Sequence, residues 1–451
     1  MRIHLIAIGG SAMHNLAMAL HEKGFTITGS DDEIFEPSRS RLEKYGLLPA
    51  EIGWFPERIT PDLDAVILGM HAREDNPELI KARKLGMQIF SYPEYLYEQT
   101  KDKKRVVIAG SHGKTTITSM IMHVLKHAGL NFDYMVGASV EGFDTMVRLS
   151  KDSSVAIFEG DEYLSSPIDK RPKFHLYKPH IALISGIAWD HINVFPTFDI
   201  YKEQFTIFIN SMEHNGTLFY YENDPVLAEV IGKSSNNICK VPYKEHVHMV
   251  RDHSSYLLTQ TGSYKLHVFG NHNLQNINGA KLICNQLGIT DIVFYKAIST
   301  FKGAAKRLQV LKSGVNCMAY LDFAHAPSKV KATVNALKEN YPERKLIACL
   351  ELHTFSSLNS DFLGEYKDTM HAADIPIVYF NPETLRHKKL PEITVNQVKT
   401  AFGGKIEVFT QSVDLVDFLK SIKYQDTNLL LMSSGNFGGL DIAALSKELI
   451  Y

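Results

Sequence analysis

A run of residue types that could bind phosphate lies at residues 110–116, which read Gly-Ser-His-Gly-Lys-Thr-Thr. A strand-like run precedes them, and a helical pattern with apolar residues on one face follows. In such a loop, backbone N–H groups and a helix N-terminus point at anionic oxygens. Lys114 would place its charge on the β- and γ-phosphates, and the Thr115 hydroxyl would ligate Mg²⁺. The P-loop pattern requires glycine where this chain has Ile108, so a glycine-rich turn beside a surface lysine is the competing interpretation.

Candidate metal ligands follow two other strand-like runs. Glu159 lies just past one of them, and Asp190 and His191 follow the other. Ligands of open α/β sheets collect at the carboxyl ends of strands. Mg²⁺ prefers oxygen ligands and keeps several waters, so one or two carboxylates would suffice. The alternative is that Asp190 caps a helix and His191 makes an ordinary hydrogen bond.

A second glycine turn lies near the start of the chain, in "AIGGSAM". Gly9 and Gly10 would form a tight turn before a helix whose N-terminus could take a pyrophosphate. Asp31 follows at about the spacing of a ribose-binding acid, which on its own could indicate NAD. Two features weigh against NAD: Met13 replaces the third glycine, and a separate phosphate loop exists. A turn that binds no ligand is another alternative.

Strand-like and helical segments alternate along the chain, which predicts doubly wound α/β architecture with parallel sheets. The length of 451 residues suggests two to four domains. The charged run at 101–105 predicts one boundary, and the strand that ends at Asp322 belongs to a third α/β segment. We therefore expect domains at residues 1–102, 103–311 and 312–451.

Composition excludes several classes of protein. A formal charge of −2 gives no support to nucleic-acid binding or to a basic membrane-facing surface. The four cysteines are widely spaced, which fits a reducing compartment without a disulfide framework or zinc site. Neither a signal peptide nor a membrane span is recognisable. We expect a cytoplasmic protein, monomeric or weakly dimeric.

The motifs "GSHGKTT", "EGDE", "AWDH", "GNHNLQNINGA", "KRLQ" and "LDFAHAP" occur in one order along the chain. Together they resemble the Mur ligase family, the ATP-dependent amide ligases of peptidoglycan assembly. The resemblance implies an N-terminal Rossmann-like domain for a UDP-sugar and a central P-loop ATPase-like domain with a mostly parallel sheet. It also implies a C-terminal Rossmann-like α/β domain that binds the incoming amine and closes over ATP.

The resemblance assigns roles to individual residues. Those implied to bind ATP are Gly110, Ser111, His112, Gly113, Lys114, Thr115, Thr116, Asn273, Asn276, Arg307, Asp322 and His325. Those implied to bind the UDP-sugar are Gly9, Gly10, Ser11, Ser30, Asp31 and Asn76. Those implied to hold Mg²⁺ are Thr115, Glu159 and His191. Those implied to act in catalysis are Lys114, His191 and Arg307.

The substrates implied by the resemblance are ATP, UDP-N-acetylmuramate and an amine. "DEYLSSPIDKRPKFHLYKP", "FEPSRSRLE" and "LMSSGNFGGL" favour L-alanyl-γ-D-glutamyl-meso-diaminopimelate as that amine, in peptidoglycan recycling; L-alanine, in biosynthesis, is the alternative. Phe205 replaces a lysine that several family members carbamylate. The stretch "ELHTFSSLNSDF" departs from an expected arginine-containing stretch, so peptide recognition is left unassigned. A non-catalytic nucleotide-binding regulator and an NAD-dependent dehydrogenase are the other classes considered.

Overall fold

The structure, a computed structural model, describes residues 1–450. These residues form two compact units. The first unit contains residues 1–187, 202–243 and 282–289, and the second contains residues 188–201, 244–281 and those from 290 onward. Among the described residues, no helix combines the length and apolar character needed to span a bilayer.

The first sheet is built from the N-terminal residues of the first unit. Its elements are β1 (Arg2–Ile6), α1 (Ser11–Glu22), β2 (Thr26–Ser30), α2 (Ser38–Lys44), β3 (Ala65–Leu68), α3 (Pro77–Lys84), β4 (Ile89–Ser91) and α4 (Tyr92–Thr100). The four strands are parallel, in the order β2-β1-β3-β4. β3 is a continuous apolar run because helices cover both faces of such a sheet.

The second sheet carries the phosphate loop. Its elements are β5 (Lys104–Ala109), α5 (Lys114–His127), β6 (Asp133–Met135), β7 (Val147–Arg148), β8 (Val155–Glu159), β9 (Ile181–Ile184), α6 (Phe198–Asn210), β10 (Thr217–Tyr221), α7 (Pro225–Lys233) and β11 (Cys239–Tyr243). The order is β11-β10-β9-β5-β8-β6-β7, and of these strands only β7 runs antiparallel to its neighbour. Because β5 lies between β8 and β9, the loops after all three strands leave the same edge of the sheet.

A small antiparallel sheet follows in the second unit. Its strands are β12 (His248–Arg251), β13 (Ser254–Thr259) and β14 (Gly262–Lys265), and the helices after it are α8 (Asn271–Gln286) and α9 (Asp291–Ile298). The sequence pattern did not predict this sheet, because its strands are short and partly polar.

The last sheet has six strands. Its elements are β15 (Gln309–Ser313), β16 (Met318–Asp322), α10 (Pro327–Asn340), β17 (Lys345–Leu352), β18 (Ile375–Phe380), α11 (Pro382–His387), α12 (Val395–Ala401), β19 (Glu407–Phe409), α13 (Ser412–Ser421), β20 (Thr427–Met432) and α14 (Ile442–Leu449). The order is β15-β16-β20-β17-β18-β19, with β15 antiparallel and the others parallel. Apolar clusters cover both faces of this sheet. The predicted α/β class, with mostly parallel sheets, is confirmed.

Candidate active site

The phosphate loop connects β5 to α5, as the sequence pattern predicts. Gly110 and Gly113 have φ angles of +122° and +78°, a region that side chains rarely adopt. A Cβ at Gly110 would also collide with Ser185 at the end of β9. The loop is anchored there, since the Ser111 N–H donates to the Gly186 carbonyl at 2.9 Å. Glycine at both positions therefore follows from the backbone geometry.

Lys114 is held by two oxygen atoms. Its Nζ lies 2.7 Å from Glu162 Oε2 and 2.7 Å from the Gly110 carbonyl oxygen. Burial disfavours the charge on Lys114, but the carboxylates of Glu162 and Asp161 outweigh this effect and raise its pKa. The lysine is therefore fully charged at neutral pH and already carries a counter-charge.

Thr115 and Glu159 form the candidate magnesium site. Thr115 Oγ1 donates to Glu159 Oε1 at 2.8 Å, and the Gly137 N–H donates to Glu159 Oε2 at 2.7 Å. Ligands at neighbouring corners of a Mg²⁺ octahedron are separated by about 2.9 Å, so these two oxygens fit the ion. Burial is the largest influence on Glu159 and raises its pKa. The described residues contain no cluster of three His, Cys, Asp or Glu side chains that could hold a metal, so water and phosphate oxygens would join Thr115 and Glu159. The assignment of His191 as a further ligand stays a prediction.

His191 lies in the second unit, in a loop with unusual backbone geometry. Its φ is +56°, which is costly for a residue with a side chain and is typical of functional sites. The His191 N–H donates to Asp190 Oδ1 at 2.8 Å, and Lys329 Nζ lies 3.2 Å from Asp190 Oδ2. Burial opposes ionisation of Asp190, but Lys329 and then His191 more than compensate, and its pKa is far below the usual range. Asp190 therefore holds this loop and does not cap a helix.

The two candidate adenine-binding asparagines lie near the start of α8. Asn273 Nδ2 donates to the Phe269 carbonyl at 2.8 Å, so its side chain is not an N-cap acceptor. Asn276 follows one turn later and is also buried. Gly270, with φ +88°, packs against Ala336, where a Cβ would fall 2.5 Å from the alanine Cβ. The asparagine pair is therefore fixed to helix α10.

Asp322, a candidate ATP-binding residue, is buried and holds the neighbouring backbone in place. Its two oxygens each accept a backbone N–H at 2.7 Å, from Leu308 and from Ala324. The Arg307 guanidinium lies over the Phe323 ring, 4.9 Å from the ring centroid. Asp322 thus fixes the segment that carries Arg307, and a ribose hydroxyl would share oxygens that the backbone already uses.

His325 is fixed in the same group. Its Nδ1 lies 2.8 Å from the Phe323 carbonyl oxygen, and the Tyr366 hydroxyl donates to the His325 carbonyl. Burial lowers the pKa of His325 to about 4, so the ring is neutral at pH 7.

Several of the residues predicted to bind the UDP-sugar already hydrogen-bond to other groups of the protein. The Gly9 N–H donates to Asp31 Oδ2 at 2.7 Å, and a Cβ at Gly9 would come within 2.9 Å of that oxygen. Ser30 Oγ accepts from Arg58 at 3.3 Å. Asn76 Oδ1 accepts the N–H groups of the first turn of α3, so this side chain is a helix cap. Gly10 is the N-cap residue of α1, and Ser11 is the first residue of this helix.

Family models match three consecutive parts of the chain. These are the Mur ligase family catalytic domain at residues 2–104, the Mur ligase middle domain at 108–284 and the Mur ligase glutamate ligase domain at 306–435. The chain is also 31% identical to a UDP-N-acetylmuramate–L-alanine ligase of Caldicellulosiruptor bescii, over 83% of this chain and 82% of that protein. The chain belongs to the Mur ligase family.

Two other relatives are similar over nearly the whole chain. A Haemophilus influenzae UDP-N-acetylmuramate–L-alanyl-γ-D-glutamyl-meso-2,6-diaminoheptandioate ligase is 27% identical, over 99% of this chain and 98% of that protein. The crystal structure of a murein peptide ligase from Psychrobacter arcticus has the same fold, with a TM-score of 0.68 and 21% identity, covering 100% of this chain and 98% of that one.

Membership of the family identifies the type of enzyme. Mur ligases are ATP-dependent enzymes of peptidoglycan synthesis, and they form a C–N bond with release of ADP and phosphate. The three-domain architecture expected from the sequence is confirmed, because each of the three family models matches in order.

The structure divides the predicted ATP-binding residues of this Mur ligase between the two units. The phosphate loop and Glu159 belong to the first unit, and His191, Asn273, Asn276, Arg307, Asp322 and His325 belong to the second. Phe205, which replaces the carbamylated lysine, is buried, and its ring lies 5.4 Å from that of Phe174. It occupies apolar core and offers no metal ligand.

Sequence reasoning missed two residues that hold the His191 loop. Lys329 pairs with Asp190, and the Ile192 N–H donates to Ser356 Oγ at 3.3 Å. A role for Lys329 could have been predicted, because this cation lies in the first turn of the helix just after His325. The sequence around Ser356 carries no comparable signal, since its partner is more than 160 residues away.

Proposed function

We propose that this Mur ligase joins the lactyl carboxylate of UDP-N-acetylmuramate to the amine of L-alanyl-γ-D-glutamyl-meso-diaminopimelate, as in peptidoglycan recycling. The observation that carries the choice of amine is the run Arg386-His387-Lys388-Lys389, at the end of α11, the helix that starts from the carboxyl edge of the last sheet after β18. Four consecutive cationic or protonatable side chains suit an acceptor with several carboxylates better than they suit a single amino acid. The H. influenzae relative named for this peptide supports the same choice.

The loops beside this run are shaped by small and polar residues. After β20, Ser433 Oγ donates to Glu351 Oε2, and the Phe437 N–H donates to the same oxygen at 2.9 Å. A Cβ at Gly435 would fall 2.7 Å from the His353 ring, so glycine is required where the loops after β17 and β20 pack together. These are the stretches "ELHTFSS" and "SSGNFGG". We call the segments after β17, β20 and β18, at residues 353–357, 433–439 and 381–389 (the last containing α11), the acceptor edge.

The proposed reaction has two steps. The lactyl carboxylate attacks the γ-phosphorus of ATP, and ADP leaves to give an acyl phosphate. The peptide amine then attacks the acyl carbon, loses a proton, and displaces inorganic phosphate. Lys114 and Arg307 would neutralise charge on the transferred phosphoryl group, which is a task of positioning and electrostatics. Mg²⁺, when held by Thr115 and Glu159, would supply further charge neutralisation there.

The domain roles follow from the same proposal. Residues 1–102 would bind the UDP-sugar through the Gly9 turn and Asp31. Residues 103–311 would bind ATP, and the asparagines of α8 would bind its adenine. Residues 312–451 would bind the peptide, and their closure over the nucleotide would exclude water from the acyl phosphate.

A second candidate acceptor is L-alanine. It is favoured by the 31% identity to the C. bescii enzyme, whose name specifies that amine. In that case the basic run after β18 would have no role in acceptor binding, and substitutions within it would leave the reaction unchanged.

The test is phosphate release from ATP in the presence of magnesium and UDP-N-acetylmuramate. Each reaction receives either the tripeptide or L-alanine, and the product is identified by mass. Release with tripeptide, and not with L-alanine, is the expected result. Release with L-alanine only would establish the second candidate in its place.

A further inference from the structure

Lys388 has an unusual position at the acceptor edge. It follows the last residue of α11, and its Nζ lies 4.4 Å from the centroid of the Phe355 ring. The lysine side chain is half-buried, whereas Phe355 is 41% exposed. An exposed aromatic ring with an ammonium group above it is a surface that can receive a ligand on its open side.

The charge of Lys388 has no counter-charge among the described residues. Within the part of the chain that the structure describes, no carboxylate lies at ion-pairing distance from its Nζ. Burial lowers the pKa of Lys388. Burial also lowers the pKa of nearby His353, where Glu351 acts in the opposite direction and Lys388 adds to the lowering. A partly desolvated cation that lacks an anionic partner is costly, and an anionic ligand would remove that cost.

The location connects this cation to the reacting residues. Phe355 lies shortly after β17, and Lys388 follows α11, the short helix after β18. These strands are parallel neighbours, so the two segments start from the same edge of the sheet. Ser356, the next residue after Phe355, accepts from the Ile192 N–H beside His191. A molecule seated on Phe355 therefore lies on the loop that contacts the His191 segment.

We propose that Lys388 and Phe355 form a subsite that binds a carboxylate of the incoming peptide, and that this subsite sets the preference for a peptide acceptor. The inference rests on the proposed function. The alanyl carboxyl group of the peptide is already an amide, so the bound carboxylate belongs to the glutamyl or diaminopimelyl residue. The ammonium group supplies the charge, and the exposed face of Phe355 packs against the aliphatic part of the peptide.

The experiment measures kcat and KM for the tripeptide by phosphate release in wild type, Lys388→Gln and Lys388→Arg. Lys405→Gln is the matched control, because it removes the same charge from an exposed position outside the acceptor edge. For Lys388→Gln we expect KM to rise about 10- to 100-fold, the usual effect of losing a hydrogen bond to a charged group. We expect kcat and the affinity for UDP-N-acetylmuramate to be unchanged, KM to be partly restored in Lys388→Arg, and KM of Lys405→Gln to match that of wild type.

Peptide analogues identify the carboxylate that is bound. Each carboxylate of the tripeptide is replaced in turn by a carboxamide. One analogue should raise the KM of wild type by the same factor as the Lys388→Gln substitution and should have no further effect on that variant. Because this comparison includes wild type, it is informative even where a variant folds poorly.

The outcomes separate the two levels of the proposal. Turnover of the tripeptide by wild type with unchanged KM in Lys388→Gln, or equal effects of Lys388→Gln and Lys405→Gln, would overturn the subsite. Absence of any tripeptide turnover by wild type would overturn the proposed function itself, and with it the subsite.

Discussion

The phosphate loop and the acceptor edge each present a lysine, but the two lysines are arranged in opposite ways. Lys114 lies 2.7 Å from a carboxylate oxygen of Glu162, whereas Lys388 lies over an aromatic ring and has no such partner among the described residues. A phosphate that reaches Lys114 must share the lysine with Glu162 or displace the Glu162 carboxylate from it. A carboxylate that reaches Lys388 would be its first anion. The lysine of the phosphate loop is therefore neutralised without a ligand, whereas Lys388 would be neutralised only by an anionic ligand.

The largest effect is expected for Lys114→Ala, which removes the cation of the phosphate loop. We predict a loss of ligation of at least about 100-fold, as for other groups that neutralise charge in a transition state. Binding of the UDP-sugar, measured by calorimetry, should persist. Lys104→Ala, which changes an exposed lysine at the start of the same strand, is the control. Equal losses in both variants would assign the effect to folding.

Glu162→Gln would make the phosphate loop resemble the acceptor edge. Lys114 would lose its partner while almost buried, and the free energy of unfolding should fall by about 3 kcal/mol. Saturating ATP should restore more stability to the variant than to wild type, because phosphate replaces the missing anion. Urea denaturation with and without ATP measures both quantities. An equal gain from ATP in the two proteins would mean that Glu162 does not compete with phosphate.

Glu159→Gln tests the oxygen pair beside Thr115. The amide oxygen can still accept from Thr115, whereas the amide nitrogen cannot accept the Gly137 N–H, so folding is checked by melting temperature. One negative charge is lost from the candidate magnesium site. We predict a rise of about 10- to 100-fold in the magnesium concentration that gives half-maximal phosphate release. An unchanged magnesium requirement would exclude Glu159 as a ligand.

The smallest effect is expected for Asp31. It extends the comparison from lysines to a carboxyl group that has no cationic partner among the described residues. Burial, the largest influence, raises its pKa from 3.8 to about 6, although the Gly9 N–H opposes the rise. The folded protein therefore holds this proton more tightly than the unfolded chain. Its contribution to stability is present below about pH 4 and is lost as the pH rises through about 6.

Asp31→Asn should remove that dependence. Melting temperatures of the two proteins, measured from pH 4 to pH 7.5, should diverge in favour of the variant as the pH rises. A constant difference across this range would contradict the assigned pKa.

The same contrast explains what could be predicted from the sequence. The phosphate loop was recognisable because its residues are consecutive and their chemistry depends on one local backbone path. The residues that set the charge state of its lysine are harder to predict, although Glu162 lies within the motif "EGDE". Asn76 was predicted to bind sugar, but the structure uses its oxygen to cap α3, a competing role that needs only the next three residues.

The acceptor edge could not be predicted because it is assembled from distant segments. Phe355 and Lys388 meet only because β17 and β18 are neighbours, and Ser433 reaches Glu351 only because β20 lies on the other side of β17. The stretch after β17 departs from the pattern expected in the family, so its residues carried no assignment. Strand order in the last sheet supplies the missing information.

The most direct test of the account is the comparison of tripeptide and L-alanine in the phosphate-release assay, with magnesium and UDP-N-acetylmuramate present. The account predicts release, with formation of the amide product, when tripeptide is added and none above background with L-alanine. Release with L-alanine alone would contradict the assignment of the acceptor edge.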